Sequence, residues 1–194
     1  MLKAAVLAVQ GDFAEHENVF RKLGCDTLQI RQKRDLEQSF DALILPGGES
    51  TVQGKLLREL DMFDTIRTRI LDGLPVMATC AGTILLAKQL LDDPTIHLGT
   101  LDIAVRRNAY GRQLASFHIS GSFGTSKDVS MSFIRAPQIE FCAPGIEVLS
   151  EHQGRITAVR QNNQLAMTFH PELGTDLRVA QYFLDVCVSG KTTC

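Results

Sequence analysis

The sequence predicts an α/β fold: a three-layer, open, mostly parallel sheet flanked by helices, with a small antiparallel flap. Three observations point there. In the first half, short apolar runs alternate with amphipathic helical stretches, the rhythm of parallel strands joined by right-handed crossovers. Two of those runs stop abruptly, at Pro46-Gly47-Gly48 and at Thr79-Cys80-Ala81-Gly82, where small residues permit a sharp strand-to-helix turn. Beyond Asp92-Asp93-Pro94 the rhythm changes to strand-like runs separated by turns.

Taken in order, residues 2–9 are almost wholly apolar, as a central strand buried on both faces must be. Gly11 and Asp12 close it. Residues 14–23 carry Val19, Phe20 and Leu23 on one side and end at Gly24, the pattern of a short amphipathic helix. Residues 26–30 read as the second strand, and 31–38 as a polar connector whose basic residues are solvated. Residues 40–45 form the third strand. Ser50 or Thr51 caps a helix running to residue 60, and 62–71 form another, stopped by Asp72-Gly73. Residues 74–77 are a buried strand, and the helix after Cys80 is predicted to run through Leu91. Residues 99–105, 113–119, 129–134, 146–149, 156–160 and 164–169 read as strands, part of them the flap. Residues 176–188 form a closing amphipathic helix. Residues 1–190 are thus expected to make a single domain, with 191–194 a flexible tail.

Bulk composition narrows the function classes. A chain of 194 residues buries most of its apolar surface without staples. Net charge is −2, so no strong field selects nucleic acid or an anionic membrane as partner. No apolar run approaches a transmembrane span. The five cysteines include no Cys-x-x-Cys pair, which fits reduced thiols and a cytoplasmic protein.

The chemistry centres on Cys80. A strand that turns into a helix there lifts the side chain to the carboxyl end of the sheet, where ligands of such folds bind. Such a position favours the thiolate, the form that attacks carbonyls. A thiol nucleophile needs a base, and the base an orienting group. His170 follows an apolar strand and precedes Pro171, and Glu172 lies two residues on, so the carboxylate can accept the imidazole Nδ1–H while Nε2 faces the sulfur. Carbonyl attack also makes an oxyanion. The Ala81 N–H is one candidate donor, and the Gly47-Gly48 turn, through Gly48, supplies the second. Gly48 to Lys55 lacks phosphate-loop spacing, and no histidine pair has metal-ligand spacing, so neither cofactor nor metal is expected. On the residues alone, another thiol acyl-transfer enzyme or a docking-only subunit stays open; a substrate-binding arginine would discriminate.

These residues sit in longer motifs. They are Leu7-Ala8-Val9-Gln10-Gly11-Asp12 with Glu15-His16, Leu45-Pro46-Gly47-Gly48-Glu49-Ser50-Thr51, and Thr79-Cys80-Ala81-Gly82. Arg107-Asn108 with Gly111-Arg112-Gln113, Ser116-Phe117, Phe133-Ile134-Arg135-Ala136-Pro137 and Phe169-His170-Pro171-Glu172-Leu173 complete the set. End to end, the chain resembles the glutaminase subunits of pyridoxal 5′-phosphate synthase, a stand-alone branch of the class I glutamine amidotransferases. The cysteine elbow and His-x-Glu are common to class I; the Pro-Gly-Gly-Glu-Ser-Thr, Arg-Asn-x-x-Gly-Arg-Gln and Phe-Ile-Arg-Ala-Pro stretches mark the vitamin B6 branch.

The resemblance implies Cys80 as nucleophile, His170 as base and acid, and Glu172 as orienter. It implies L-glutamine held by Gly47, Gly48, Glu49, Arg107, Ile134 and Arg135. It also implies a separate barrel-shaped pyridoxal phosphate synthase subunit that receives the ammonia and docks over the active-site face, with residues 10–17 near the contact. Two positions depart from the family pattern: Ala78 stands where glycine is usual, and His118 where glutamate is usual.

Overall fold

In the computed structural model, which describes residues 1–107 and 116–190, the first apolar run becomes β1 (Lys3–Leu7), a strand paired on both sides. Its side chains alternate between two cores: Ala5 and Leu7 join one, Ala4 and Val6 the other. β2 (Asp26–Ile30) and β3 (Ala42–Leu45) pair with β1 in parallel, and β4 (Val76–Thr79) pairs with β3. The helix α1 (Phe13–Lys22) covers the second core with Val19 and Phe20. On the opposite face, α2 (Ser50–Glu59) and α3 (Phe63–Leu71) cover the first core with Leu57, Ile66 and Ile70. The connector at 31–38 holds a short 3-10 helix, Lys33–Glu37, whose Leu36 is buried.

The segment after Cys80 corrects the sequence reading. The helix expected through Leu91 stops after α4 (Ala81–Leu86), and β5 (Ala87–Leu90) follows at once. The Leu98 and Gly99 N–H groups donate to the Leu85 carbonyl, and Thr100 donates to Leu86. The next loop therefore supplies the donors that another helical turn would have supplied. β5 pairs in parallel with β6 (Leu101–Arg106).

β7 (Ser116–Phe123) and β8 (Ser126–Ile134) form a separate antiparallel pair, the expected flap. The first residues of the strand predicted from 113 lie outside the described residues, as do Asn108, Gly111-Arg112-Gln113 and the tail at 191–194. β9 (Gln138–Cys142), β10 (Glu147–His152), β11 (Arg155–Gln161) and β12 (Gln164–Met167) instead extend the main sheet. Its order is β2-β1-β3-β4-β12-β11-β9-β6-β5, with β10 on β11. β9 went unpredicted because it carries no core pattern: only Ile139 is buried, and Phe141 is 59% exposed. The closing helix α5 (Arg178–Tyr182) continues as a π-helical stretch, Phe183–Val188, and packs Val179, Ala180 and Phe183 into the second core.

One pairing positions the site. β12 runs parallel to β4, with Met167 opposite Thr79. The carboxyl ends of these adjacent strands therefore lie side by side, one leading into Cys80 and the other towards His170. Among the described residues no helix is long and apolar enough to cross a membrane.

Candidate active site

Cys80 sits at a strained elbow, with φ 47° and ψ −104°. A non-glycine residue held there costs about 1–3 kcal/mol and persists only where its surroundings enforce it. The enforcement is visible. The Cys80 N–H donates to the Met167 carbonyl at 2.9 Å, and the Cys80 carbonyl accepts from the Thr83 N–H at 3.1 Å. The Thr83 hydroxyl donates to the same Met167 carbonyl at 2.6 Å, fastening α4 to β12. Small residues are required as the sequence suggests: a Cβ on Gly82 would lie 2.2 Å from the Leu45 carbonyl oxygen. The Cys80 thiol donates to the Ile134 carbonyl at 3.9 Å.

His170 is set from two directions. Its N–H donates to the Ser132 carbonyl of the flap at 2.7 Å, and its Nδ1 meets Glu172 Oε1 at 2.7 Å. Pro171 opens the 3-10 turn, Pro171–Leu173, that brings the carboxylate back to the Nδ1 edge of the ring. His170 is 3% exposed and Glu172 is 5% exposed. His170 Nε2 makes no hydrogen bond of ordinary length among the described residues. Cys80 is nonetheless near enough to act on the ring: burial disfavours its charge, but Cys80 and Glu172 outweigh burial and raise the His170 pKa well above the imidazole range. Burial likewise disfavours charge on Glu172, yet His16 and His170 together hold its carboxyl below the usual carboxylate range.

The two glycine-bearing loops form one unit beside the ring. Asp12 N–H donates to the Gly47 carbonyl at 3.2 Å, and Gln10 Oε1 accepts from the Glu49 N–H at 2.8 Å. Gln53 Nε2 donates to the Gln10 and Pro46 carbonyls at 3.0 and 3.2 Å. Gly48 has φ +147°, and a Cβ there would lie 2.4 Å from Gln10 Oε1. A Cβ on Gly47 would lie 2.4 Å from His170 Cε1.

A cavity of about 350 Å³ opens over these groups. Gly48, Glu49, Cys80, Ala81, Arg107, Ile134, Arg135 and His170, all singled out from the sequence, line it. Gly47 and Glu172, also singled out, adjoin His170 but do not line the cavity. Arg107 reaches the cavity with its guanidinium 2.9 Å from Asp93 and 3.7 Å from Glu49. Arg135 follows Ile134 in a left-handed conformation, φ 42°.

Sequence reasoning placed Gln10, Asp12 and His16 in a family motif without giving them a role at the site, and it missed Asp93. Gln10 and Asp12 follow β1 at the ligand-binding edge of the sheet, so the edge rule could have found them. Asp12 Oδ2 lies 3.7 Å from His170 Nδ1. Asp12, His170 and Glu172 offer ligand atoms within 4.8 Å of one another, but the His170–Glu172 hydrogen bond already engages two of the three. Ala78 pairs in register with Leu45 and Ala166 and is fully buried, its methyl packed in the first core. His118 lies on the flap, 3.0 Å from the Ser132 hydroxyl and off the cavity wall.

Comparison with known proteins agrees with this geometry. The chain matches the SNO glutamine amidotransferase family over residues 6–189. It is 52% identical over 191 residues to a pyridoxal 5′-phosphate synthase subunit PdxT of Desulfitobacterium hafniense, covering 98% of this chain and 96% of that protein. It is 49% identical over 185 residues to the PdxT subunit of Methanocorpusculum labreanum, covering 95% of this chain and 97% of that one. A crystal structure described as a glutamine amidotransferase superposes with a TM-score of 0.90 at 42% identity, over 95% of this chain and 98% of that chain. PurLQS from Thermotoga maritima, at 16% identity and a TM-score of 0.65 over 94% of this chain and 97% of that chain, shares the fold.

Proposed function

The chain belongs to the SNO glutamine amidotransferase family, and on that premise we propose that Cys80, His170 and Glu172 carry its glutamine hydrolysis. The chain is a glutaminase of the pyridoxal 5′-phosphate synthase type, converting L-glutamine to L-glutamate and ammonia for vitamin B6 biosynthesis with a separate synthase subunit. The observation that carries the residue assignment is the strained Cys80 elbow facing an imidazole hydrogen-bonded to a buried carboxylate.

The Cys80 thiolate attacks the carboxamide carbon of glutamine, forming a carbon–sulfur bond and an oxyanion. The Ala81 and Gly48 N–H groups are the proposed donors to that oxygen, each supplying roughly 3 kcal/mol of stabilisation. His170 gives its Nε2 proton to the amide nitrogen; the carbon–nitrogen bond breaks and ammonia leaves. His170 Nε2 then takes a proton from water, whose oxygen attacks the glutamyl thioester. The carbon–sulfur bond breaks and glutamate departs. Throughout, Glu172 holds Nδ1–H and so keeps Nε2 turned towards the reacting atoms. In this reading Arg107 binds the substrate α-carboxylate and Glu49 its α-ammonium group, with Ile134 and Arg135 closing the far wall. These transfers need neither metal nor cofactor.

We read residues 1–190 as one amidotransferase domain working in the cytoplasm, where its cysteines stay reduced. The partner is a barrel-shaped synthase subunit seated over the cavity mouth, with residues 10–17 near the contact.

The test is glutamate release with and without such a barrel subunit. The parent chain is expected to turn over slowly alone and faster with the subunit. Cys80→Ala should release no glutamate in either setting, and full turnover by that variant would remove the scheme. Arg107→Ala should raise KM for glutamine about tenfold or more, since the α-carboxylate loses its bidentate partner. An unaltered KM would take Arg107 out of the substrate site.

A further inference from the structure

His16 lies on α1, outside the cavity wall, and is fully buried. Its Nε2 is 3.4 Å from Glu172 Oε1 and 3.1 Å from the Thr79 hydroxyl. Glu172 Oε1 therefore stands between two imidazoles, His170 Nδ1 at 2.7 Å and His16 Nε2 at 3.4 Å. Thr79 is the residue immediately before Cys80. One buried ring thus touches both the carboxylate behind His170 and the strand end that carries the thiol.

The surroundings decide how that ring acts. His16 Nδ1 is buried with no partner among the described residues, so the ring proton belongs on Nε2, where the Thr79 hydroxyl at 3.1 Å and the Glu172 carboxylate at 3.4 Å share it. Glu172 Oε2 is also buried without a partner among the described residues. The carboxylate consequently has both polar contacts, His170 at 2.7 Å and His16 at 3.4 Å, on one oxygen, and its side chain is wholly inaccessible. A buried carboxylate turned by thermal motion would lose its bond to His170 and find no water to replace it. A second donor on Oε1 holds the rotamer that presents this oxygen to Nδ1.

We propose that His16 is a positioning residue for the glutaminase reaction: its Nε2–H pins the Glu172 carboxylate against His170 and couples it through Thr79 to the Cys80 elbow. This inference rests on the triad assignment above. His16 touches neither substrate nor thiol, so its effect falls on the chemical step and spares substrate binding.

The experiment compares His16→Leu and His16→Gln in the complex with the synthase barrel subunit. Leucine keeps volume and removes the donor; glutamine restores an N–H at similar reach. His16→Leu is expected to lower kcat about tenfold to a hundredfold while KM for glutamine stays within about threefold. His16→Gln is expected to recover kcat to within about threefold of the parent. A His16→Leu enzyme with parent kcat overturns the inference. So does equal impairment of both variants, which would mark a packing role. Should His16→Leu not fold, Thr79→Val decides instead: a fall in kcat of about threefold or more at unaltered KM supports the coupling, and parent kcat overturns it. Cys80→Ala runs in parallel. Product from that variant sinks the triad assignment, whereas an unaffected His16→Leu sinks only the role of His16.

Discussion

Replacing Glu172 by glutamine is expected to lower glutamine turnover about ten-thousandfold, the scale reached when the orienting acid of a triad becomes an amide. The reason is a tautomer. Glu172 Oε1 accepts from His170 Nδ1 at 2.7 Å, which leaves Nε2 free to exchange protons with the sulfur and the leaving amine. An amide in that buried place can turn its NH2 towards Nδ1. The ring then carries its proton on Nε2, facing Cys80, and cannot accept another. The variant also loses the charge that favours the imidazolium. Single-turnover and steady-state assays with the synthase subunit present would read the effect on kcat, and a value within tenfold of the parent would refute the assigned role of Glu172.

The same substitution has a signature in stability. The Glu172 carboxyl titrates in the folded chain at about 2, below its ordinary 4.5: burial opposes its charge, but His16 and His170 more than offset that. A group depressed in this way stabilises the fold above its unfolded pKa and loses that contribution as pH falls towards the folded value. The parent should therefore shed stability between about pH 4.5 and pH 2 through this carboxyl, a loss that Glu172→Gln cannot show. Urea midpoints of parent and variant should converge as the pH is lowered through that window. Parallel curves would mean that the carboxylate is not held by its two imidazoles.

Much of the site was legible because its chemistry is written in local motifs. Cys80 announces itself through the small residues after an apolar run, since any larger side chain at Gly82 would strike the Leu45 carbonyl. His170 and Glu172 are two residues apart, so their pairing is a local property of the Pro171 turn. What could not be read depends on partners distant in sequence. α4 stops at Leu86 because the backbone of Leu98, Gly99 and Thr100 arrives to satisfy its carbonyls. β9 is a strand because β6 and β11 flank it, not because of its own polar and exposed residues. His16 is the sharpest case. On its helix it is an ordinary member of an amphipathic pattern, and its meaning appears only when Glu172 and Thr79 come to the same ring from separate strand ends. Arg107 likewise was identified without Asp93, the acid that holds its guanidinium at 2.9 Å.

Gly47→Ala carries the second large expectation, a fall in kcat of about a hundredfold or more with the triad chemically intact. Gly47 is not among the glycines with left-handed φ, so alanine is conformationally acceptable there and the effect is one of space. The added Cβ would lie 2.4 Å from His170 Cε1 and 3.0 Å from Nδ1, whereas carbon atoms rest at about 3.5–4.0 Å. Asp12 Oδ2, at 3.2 Å from the same Cβ, narrows the room left for the methyl. The ring must then retreat by roughly an ångström, and displacements of that size at a reacting centre cost about two orders of magnitude in rate. Overpacking would also lower stability by about 1–3 kcal/mol, enough to measure but not to unfold an ordinary domain. Gly174→Ala is the control, because its Cβ would meet Ser130 Oγ at 3.5 Å, an ordinary contact. That variant should turn over within about twofold of the parent. A Gly47→Ala enzyme that folds and keeps parent kcat would show that the ring has slack against this loop, and that the packing of His170 against Gly47 does not set its approach to the thiol.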